Sequence, residues 1–290
     1  MTAQVATLAS VNPEILRYAA FTDDPASGNP AGVVLDATGL SEARMQEIAA
    51  EVGYSETAFV IPGDGPLRTR YFSPDREVDF CGHATIALAV AVADRDGPGP
   101  LALDTAAGRI DVDVIATSNG PSATLRSVPT HTRAATDDDL DAALAALRWA
   151  RTDLADGYPP HVAYGGVHHP VLAARTRERL ADLDYDFEAL RALMTDRGWT
   201  TVQLFWVEDE QTIHSRNPFP VGGVVEDPAT GAAAAALGGY LRDLGLIRPP
   251  ARIRIIQGED MGRRSELVVD IDPADPTVRV SGGAVRIPGP

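Results

Sequence analysis

Two turn-to-helix junctions, far apart in the chain, carry the side chains best suited to chemistry. The first covers residues 80–85 and the second residues 226–231. Each places polar side chains and a glycine before a segment that is small or apolar nearly all round, which predicts a buried helix. The free N–H groups and positive dipole end of a helix N-terminus attract anions. Two such ends meeting at one cleft would suit a small molecule that carries a carboxylate.

Glu56 is the candidate general acid–base. It lies where a helix gives way to a strand, and strand alternation puts it on the same face as Ala58 and Val60, whose side chains favour burial. A carboxylate on an apolar face is harder to ionise, which suits proton transfer near neutral pH. The alternative is a solvated glutamate at a strand end, and the residues alone do not decide between the two.

The junctions hold four further candidates. A helix start can activate the thiol of Cys81, but this is the only cysteine, so we expect it to be a small buried residue. His83 is either a proton donor or substrate ligand, or a structural histidine. Asp227 could bind an amine or hydroxyl, cap the helix, or do both. Gly231 would let a ligand approach backbone N–H groups, because no Cβ stands in the way.

Other patterns point away from metals and cofactors. His161, His168 and His169 invite a metal interpretation, but adjacent histidines point to opposite strand faces and no paired carboxylates support it. We therefore expect these histidines in loops or on the surface, and no metal site. The glycine-rich stretches 28–32 and 238–239 match neither a P-loop nor a dinucleotide fingerprint. Nothing in the sequence implies a cofactor.

Length and charge narrow the class of protein. A chain of 290 residues suits two domains, and the loop-like stretch 117–135 suggests domains at residues 1–125 and 126–290. A net charge of −16 disfavours nucleic acid and anionic membranes as partners. The sequence begins without a signal-peptide pattern, and no apolar run approaches the roughly 18 residues of a membrane span. We expect a cytoplasmic protein.

Strand and helix signals alternate in both halves. Ser41 and Gly53 bracket one amphipathic helix, Thr136 begins another, and a third is predicted over residues 187–197. In each half, strands precede and follow one of the two buried helices. The second half thus repeats the architecture of the first, although only the two junctions look alike.

Seven segments occur in a recognisable order along nearly the whole chain: 21–34, 55–60, 70–74, 77–85, 215–216, 226–231 and 257–263. Together they resemble the PhzF-like family of phenazine-biosynthesis-type isomerases, within the diaminopimelate-epimerase fold. The resemblance implies an α+β protein of two pseudo-symmetric domains. Each would be a barrel-like, mostly antiparallel sheet wrapped round one central helix, with the active site between the domains. The last strand could return to the N-terminal domain.

The resemblance also assigns roles. Glu56 would shuttle a proton, and backbone amides at the two helix starts would receive the substrate carboxylate. The implied substrate-binding set is Ser55, Gly82, His83, Asp227, Gly231 and Ala232. A cofactor-independent isomerase follows, moving a proton and a double bond within an unsaturated carboxylic or cyclic amino acid in the biosynthesis of a specialised metabolite. The resemblance further implies a homodimer.

Two departures from related proteins leave alternatives open. Ala232 stands where the phenazine isomerase has a serine, so a hydroxyl near the carboxylate is missing. Racemases and epimerases of this fold use two facing cysteines, whereas the second junction offers only Pro228 and Ala229 opposite Cys81. A racemase that uses Glu56 and Cys81 as unequal bases is one alternative. A non-catalytic small-molecule binding protein is the other.

Overall fold

The computed structural model describes residues 13–289, in which two curved sheets each surround one helix. The strands are β1 (Leu16–Ala20), β2 (Asn29–Val34), β3 (Thr57–Ile61), β4 (Leu67–Phe72), β5 (Glu77–Val78), β6 (Pro100–Thr105), β7 (Gly108–Thr117), β8 (Gly120–Arg126), β9 (His131–Ala134), β10 (His161–Tyr164), β11 (His168–Ala173), β12 (Gln203–Val207), β13 (Thr212–Pro218), β14 (Glu226–Asp227), β15 (Ala251–Gln257), β16 (Ser265–Ile271) and β17 (Val278–Arg286). The α-helices are α1 (Glu42–Val52), α2 (Gly82–Asp96), α3 (Asp137–Leu147), α4 (Arg177–Ala181), α5 (Phe187–Arg197) and α6 (Gly231–Asp243).

The first sheet closes into a barrel. Its strands follow the order β1, β2, β3, β4, β6, β7, β8 and β17, and β17 pairs with β1 to complete the ring. Only the pairs β2–β3 and β4–β6 are parallel. Helix α2 packs inside this ring, and every residue from His83 to Ala91 is buried. The prediction of a buried central helix is confirmed.

The second sheet, called the second barrel below, repeats this strand order round one helix, although no strand pair within residues 13–289 closes its ring. Strands β10, β11, β12, β13, β15, β16 and β17 follow one another, and the parallel pairs are again the second and fourth, β11–β12 and β13–β15. Helix α6 packs inside the sheet and is buried from Ala233 to Leu241. The predicted α+β fold, with pseudo-symmetric halves built round one helix each, is confirmed.

The two barrels exchange strands. The start of β17 pairs with β16 of the second barrel, and its end, at residues 284–286, pairs with β1 of the first. The consecutive strands β8 and β9 also belong to different barrels. β8 lies in the first barrel, and β9 pairs with β10 of the second. Residues 117–135 are therefore mostly strand, since β8 and β9 fill most of that stretch. The division between residues 125 and 126 itself stays a prediction.

Local signals set the helix ends as expected. Ser41 Oγ accepts a hydrogen bond from the Arg44 N–H (3.2 Å), and Gly53 ends α1 in the left-handed conformation at φ 71°. Thr136 caps α3 in the same way through the Asp139 N–H (3.0 Å). Within residues 13–289, none of these helices is long and apolar enough to cross a membrane.

His161, His168 and His169 lie in strands rather than loops, and of the three only His168 is on the surface, as expected. His161 lies in β10 and is buried, while His168 and His169 begin β11. Alternation along β11 exposes His168 and buries His169 completely. His169 Nδ1 lies 2.9 Å from Thr201 Oγ1, so a hydrogen bond compensates for the burial of the ring.

Candidate active site

The strand exchange brings the starts of α2 and α6 to one cleft. Asn29, the first residue of β2, reaches from the first barrel to the turn before α6. Its Nδ2 donates to Asp227 Oδ1 (2.8 Å) and to the Ala229 carbonyl (3.1 Å). Asn29 is 1% exposed, so this contact is part of the interior. The two predicted junctions therefore meet, although they lie in different barrels.

Glu56 and His83 form the centre of the first wall. Glu56 precedes β3, whose Ala58 and Val60 face the first barrel's core, and the Glu56 side chain is only 17% exposed. His83 sits in the first turn of α2. Its Nε2 lies 3.3 Å from Glu56 Oε2 and also 3.3 Å from the hydroxyl of Ser55. An imidazole that touches both groups can pass a proton to or accept one from the carboxylate.

Cys81 is the residue immediately before α2, and it is buried. Its Sγ lies 3.3 Å from His83 Nδ1. Burial, followed by the negative charge of Glu56, raises the pKa of the Cys81 thiol well above its ordinary value. A thiol held in its neutral form is a poor nucleophile and a poor base at neutral pH. This agrees with the expectation of a small buried residue.

Asp227 forms the opposite wall. Besides Asn29, it accepts a short hydrogen bond at Oδ2 from the hydroxyl of Thr230 (2.6 Å). Burial raises the pKa of Asp227 to about 6, and the neighbouring His83 is the largest opposing influence. The carboxyl group can therefore change its charge close to neutral pH, which is common at functional sites.

Gln257, at the end of β15, holds this wall in place. Its Nε2 donates to the Asp227 carbonyl (2.7 Å) and to the Thr230 hydroxyl (3.0 Å), and its Oε1 accepts from the Thr230 N–H (3.1 Å). The side chain is 1% exposed. Sequence reasoning did not single out Gln257 or Asn29, although both lie inside segments that carried the family resemblance.

Both helix starts leave room for an anion. The first backbone hydrogen bonds run from Thr85 to Cys81 in α2 and from Ala234 to Thr230 in α6, so the earlier N–H groups lie outside the helical ladder. A Cβ added at Gly82 or at Gly231 would meet no atom within 4 Å. The space over these glycines can therefore take a ligand, as the sequence predicted for backbone recognition of a carboxylate.

A two-pronged ion pair precedes each junction, partly buried in the first barrel and buried in the second. Arg70 donates to both oxygens of Glu77 (2.6 Å each), and Arg216 donates to both oxygens of Glu226 (3.0 and 2.5 Å). The two glutamates begin the short strands β5 and β14, which lead into α2 and α6. Losing one partner of a buried pair such as Arg216–Glu226 costs about 3–5 kcal/mol. These arginines therefore support the site without entering it.

The fold and the meeting of two helix starts at one cleft define an enzyme with a diaminopimelate-epimerase-like fold. The solved hydroxyproline epimerase of Agrobacterium vitis has this fold too, with a TM-score of 0.62 at 13% identity over 94% of this chain and 90% of that one. The chain belongs to the PhzC-PhzF family, whose model, described as phenazine biosynthesis-like protein, matches residues 18–288.

Individual relatives support membership of the PhzC-PhzF family. The PhzF-family protein of Bacillus anthracis superimposes with a TM-score of 0.83 at 26% identity, over 94% of this chain and 96% of that one. The uncharacterized isomerase YddE of Salmonella typhimurium is 32% identical over 95% of this chain and 96% of its own. The trans-2,3-dihydro-3-hydroxyanthranilate isomerase of Pseudomonas chlororaphis is 32% identical over 85% of this chain and 86% of its own length. The protein is an isomerase.

Proposed function

We infer that this isomerase moves a proton, and with it a double bond, within an unsaturated carboxylic or cyclic amino acid, without a cofactor. The observation that carries the proposal is the placement of Glu56 beside His83, at a cleft that Asp227 faces from the other side. Glu56 takes the proton from an acidified carbon and returns it elsewhere on the same face of the substrate. His83 lies close enough to share that proton.

The helix starts supply the substrate's anchor. The open N–H groups at Gly82 and Gly231 bind the carboxylate, and Asp227 holds an amine or hydroxyl of the same molecule. Substrate esters should therefore bind far more weakly than the acids. Equal binding of an acid and its methyl ester, measured by calorimetry, would refute this assignment.

The relative from Pseudomonas chlororaphis supports the substrate class. Its name gives a dihydro-hydroxyanthranilate, a ring that carries a carboxylate and an amine, as the compound that it isomerises. We propose a related unsaturated cyclic amino acid, used in the synthesis of a specialised metabolite. Ala232 lies in the first turn of α6 and contributes no hydroxyl there, so the preferred substrate need not be the same compound.

Proton transfer by two thiols is disfavoured by the second junction. Cys81 and Thr230 are the N-cap residues of α2 and α6, and both directly precede the helix-starting glycine. The position that corresponds to Cys81 is therefore Thr230, which corrects the expectation of Pro228 or Ala229. Its hydroxyl is committed to Asp227. A racemase would need a second base on this side.

The decisive experiment replaces the proposed base. Glu56→Gln keeps the shape of the side chain and removes its basicity, so turnover should fall by at least roughly 10²-fold with a smaller change in substrate affinity. Ultraviolet absorbance during incubation with trans-2,3-dihydro-3-hydroxyanthranilate and other unsaturated cyclic amino acids supplies the assay. Glu47→Gln, on the exposed surface of α1, is the matched control. Near-normal turnover by Glu56→Gln would remove Glu56 from the mechanism.

Two further measurements separate the alternatives. With a single enantiomer in deuterated water, a racemase must exchange the Cα hydrogen for deuterium, whereas the proposed isomerase leaves the configuration at Cα unchanged. A binding protein would show a different pattern among variants. Glu56→Gln would then leave the cellular phenotype intact, while Gly231→Val, which fills the space over the start of α6, would abolish it.

A further inference from the structure

The turn between β1 and β2, in the first barrel, lies against the hairpin between β15 and β16, in the second. Two backbone hydrogen bonds join them. The Gly28 N–H donates to the Arg264 carbonyl (3.1 Å), and the Glu266 N–H donates to the Phe21 carbonyl (2.8 Å). We call this contact between the turn and the hairpin the seam. It ties the two barrels to each other.

Arg263 adds a fork of two side-chain hydrogen bonds to the seam. Its Nε donates to the Gly28 carbonyl (2.8 Å) and its Nη2 to the Ser27 carbonyl (2.9 Å). Hydrogen bonds from a charged donor are roughly twice as strong as neutral ones, and a pair of them also fixes the direction of approach. Both acceptors are backbone carbonyls, so Arg263 acts on the turn and not on a carboxylate.

The two segments that Arg263 joins also hold Asp227. Asn29 directly follows the two residues whose carbonyls Arg263 binds, and its Nδ2 donates to Asp227 Oδ1 (2.8 Å). A hydrogen bond of this kind favours the ionised carboxylate. From the hairpin, Gln257 donates to the Asp227 carbonyl (2.7 Å). The seam therefore sets the position of Asn29 relative to Asp227.

We propose that Arg263 is a positioning residue for the reaction, because it holds Asn29 against Asp227 across the two barrels. Without its two bonds the turn is held less firmly, Asn29 donates to Asp227 for a smaller fraction of the time, and the ionised carboxylate is less stable. Asp227 then ionises at higher pH. An effect on turnover rests in addition on the proposed function, in which ionised Asp227 holds the substrate.

Other groups that face Asp227 also affect its charge. Burial is the main cause of its raised pKa; His83 and Thr230 oppose this shift, and Glu56 adds to it. The Asp227 charge acts in turn on the Cys81 thiol. All four groups stay in place in the variants compared below. They set the starting midpoint, and Arg263 and Asn29 account for the differences between variants.

Two titrations of the full chain test the proposal. The decline of kcat/KM at acidic pH gives one midpoint. Carbon-13 NMR of carboxyl-labelled aspartate gives the midpoint of Asp227 itself, and the signal is identified by its absence from Asp227→Asn. Loss of one hydrogen bond from a charged carboxylate raises its midpoint by about one pH unit. Asn29→Ala should therefore move the midpoint from about 6 to about 7.

Arg263→Gln should produce at least about half of that shift, and Arg263→Lys, which can keep one of the two bonds, a smaller one. In the double variant of Arg263→Gln and Asn29→Ala, the midpoint should equal that of Asn29→Ala alone, because Arg263 acts through Asn29. Arg264→Gln is the matched control. Its side chain is exposed and its carbonyl stays in the seam, so the midpoint should not move.

An unchanged NMR midpoint in Arg263→Gln, or shifts that add in the double variant, overturns the proposal. If Arg263→Gln does not fold, an unchanged NMR midpoint in Arg263→Lys overturns it instead. A shifted NMR midpoint with an unshifted decline of kcat/KM has a different meaning. It supports the positioning of Asp227 by Arg263 and refutes the role of the Asp227 charge in holding the substrate.

Discussion

The charge of Asp227 should control activity at mildly acidic pH. Burial raises the pKa of its carboxyl group to about 6, while hydrogen bonds from Asn29 and Thr230 favour the ionised form. If ionised Asp227 holds an amine or hydroxyl of the substrate, protonation removes that attraction. We therefore expect kcat/KM to fall as the pH drops below about 6.

The size of the effect follows from the pKa. With a value of about 6, roughly one tenth of the molecules carry the Asp227 charge at pH 5 and roughly one hundredth at pH 4. On the acidic side of the pH profile, kcat/KM should therefore fall by nearly tenfold for each pH unit. Asp227→Asn should lower kcat/KM at pH 8. It should also abolish the decline of kcat/KM at acidic pH, because the amide side chain does not gain or lose a proton there.

Stability should change in the opposite direction, which separates this effect from acid unfolding. The pKa of Asp227 is raised from 3.8 to about 6, so the native state binds the proton more tightly than the unfolded chain. This contribution stabilises the native state fully below pH 3.8 and is lost as the pH rises through about 6. It amounts to at most about 3 kcal/mol.

The assay compares kcat/KM and urea unfolding between pH 4.5 and 8 for the unmodified chain, for Asp227→Asn and for Asp196→Asn. Asp196 is an exposed residue of α5, and its variant should follow the unmodified chain. If kcat/KM of Asp227→Asn still declines at acidic pH with the same midpoint and steepness, the decline is caused by a group other than Asp227. The assignment of substrate binding to ionised Asp227 would then be refuted.

Three further predictions concern other parts of the molecule. Burial lowers the pKa of His169 from 6.5 to about 4, so the unfolded chain protonates first and the free energy of unfolding should fall by about 3 kcal/mol between pH 6.5 and 4. His169→Gln should flatten this dependence in urea titrations. Cys81→Ala should retain at least about a tenth of the activity, and inactivation with the fold intact would point to a racemase-like thiol. The chain should be a homodimer by light scattering at micromolar concentration; a mass near 30.7 kDa would contradict this.

Features set by neighbouring residues could be predicted from the sequence. The ends of α1 follow from Ser41 and Gly53, and α5 spans the predicted residues 187–197, since caps and helical periodicity are local signals. The two central helices were predictable for a similar reason. Residues without a polar face, as in α2 and α6, can only be buried.

Features that depend on distant contacts could not be predicted in this way. Asn29 and Asp227 meet across 198 residues of sequence, and nothing near either residue indicates the other. The same holds for the strand exchange, because β17 pairs with β1 and β8, which precede it by more than 150 residues. The burial of His169 could not be predicted either, because its hydrogen-bond partner, Thr201, is 32 residues away in the sequence.

The two barrels differ at the position of the proposed base, Glu56. Phe72 pairs with Glu77 in the first barrel as Pro218 pairs with Glu226 in the second. Thr57 lies opposite Phe72, and the Val202 N–H donates to the Pro218 carbonyl, so Val202 corresponds to Thr57.

The residue before Val202 therefore corresponds to Glu56, and it is Thr201. Thr201 is 1% exposed, and its hydroxyl contacts His169 Nδ1 (2.9 Å) and accepts from Asn217 Nδ2 (3.0 Å). A buried hydroxyl with these partners cannot serve as a second carboxylate base. Conversely, Asp227 occupies the position that Val78 holds in the first barrel. In the proposed mechanism, one barrel supplies the proton carrier and the other the binding carboxylate. This asymmetry suits transfer of a proton along one face of the substrate better than inversion between two faces.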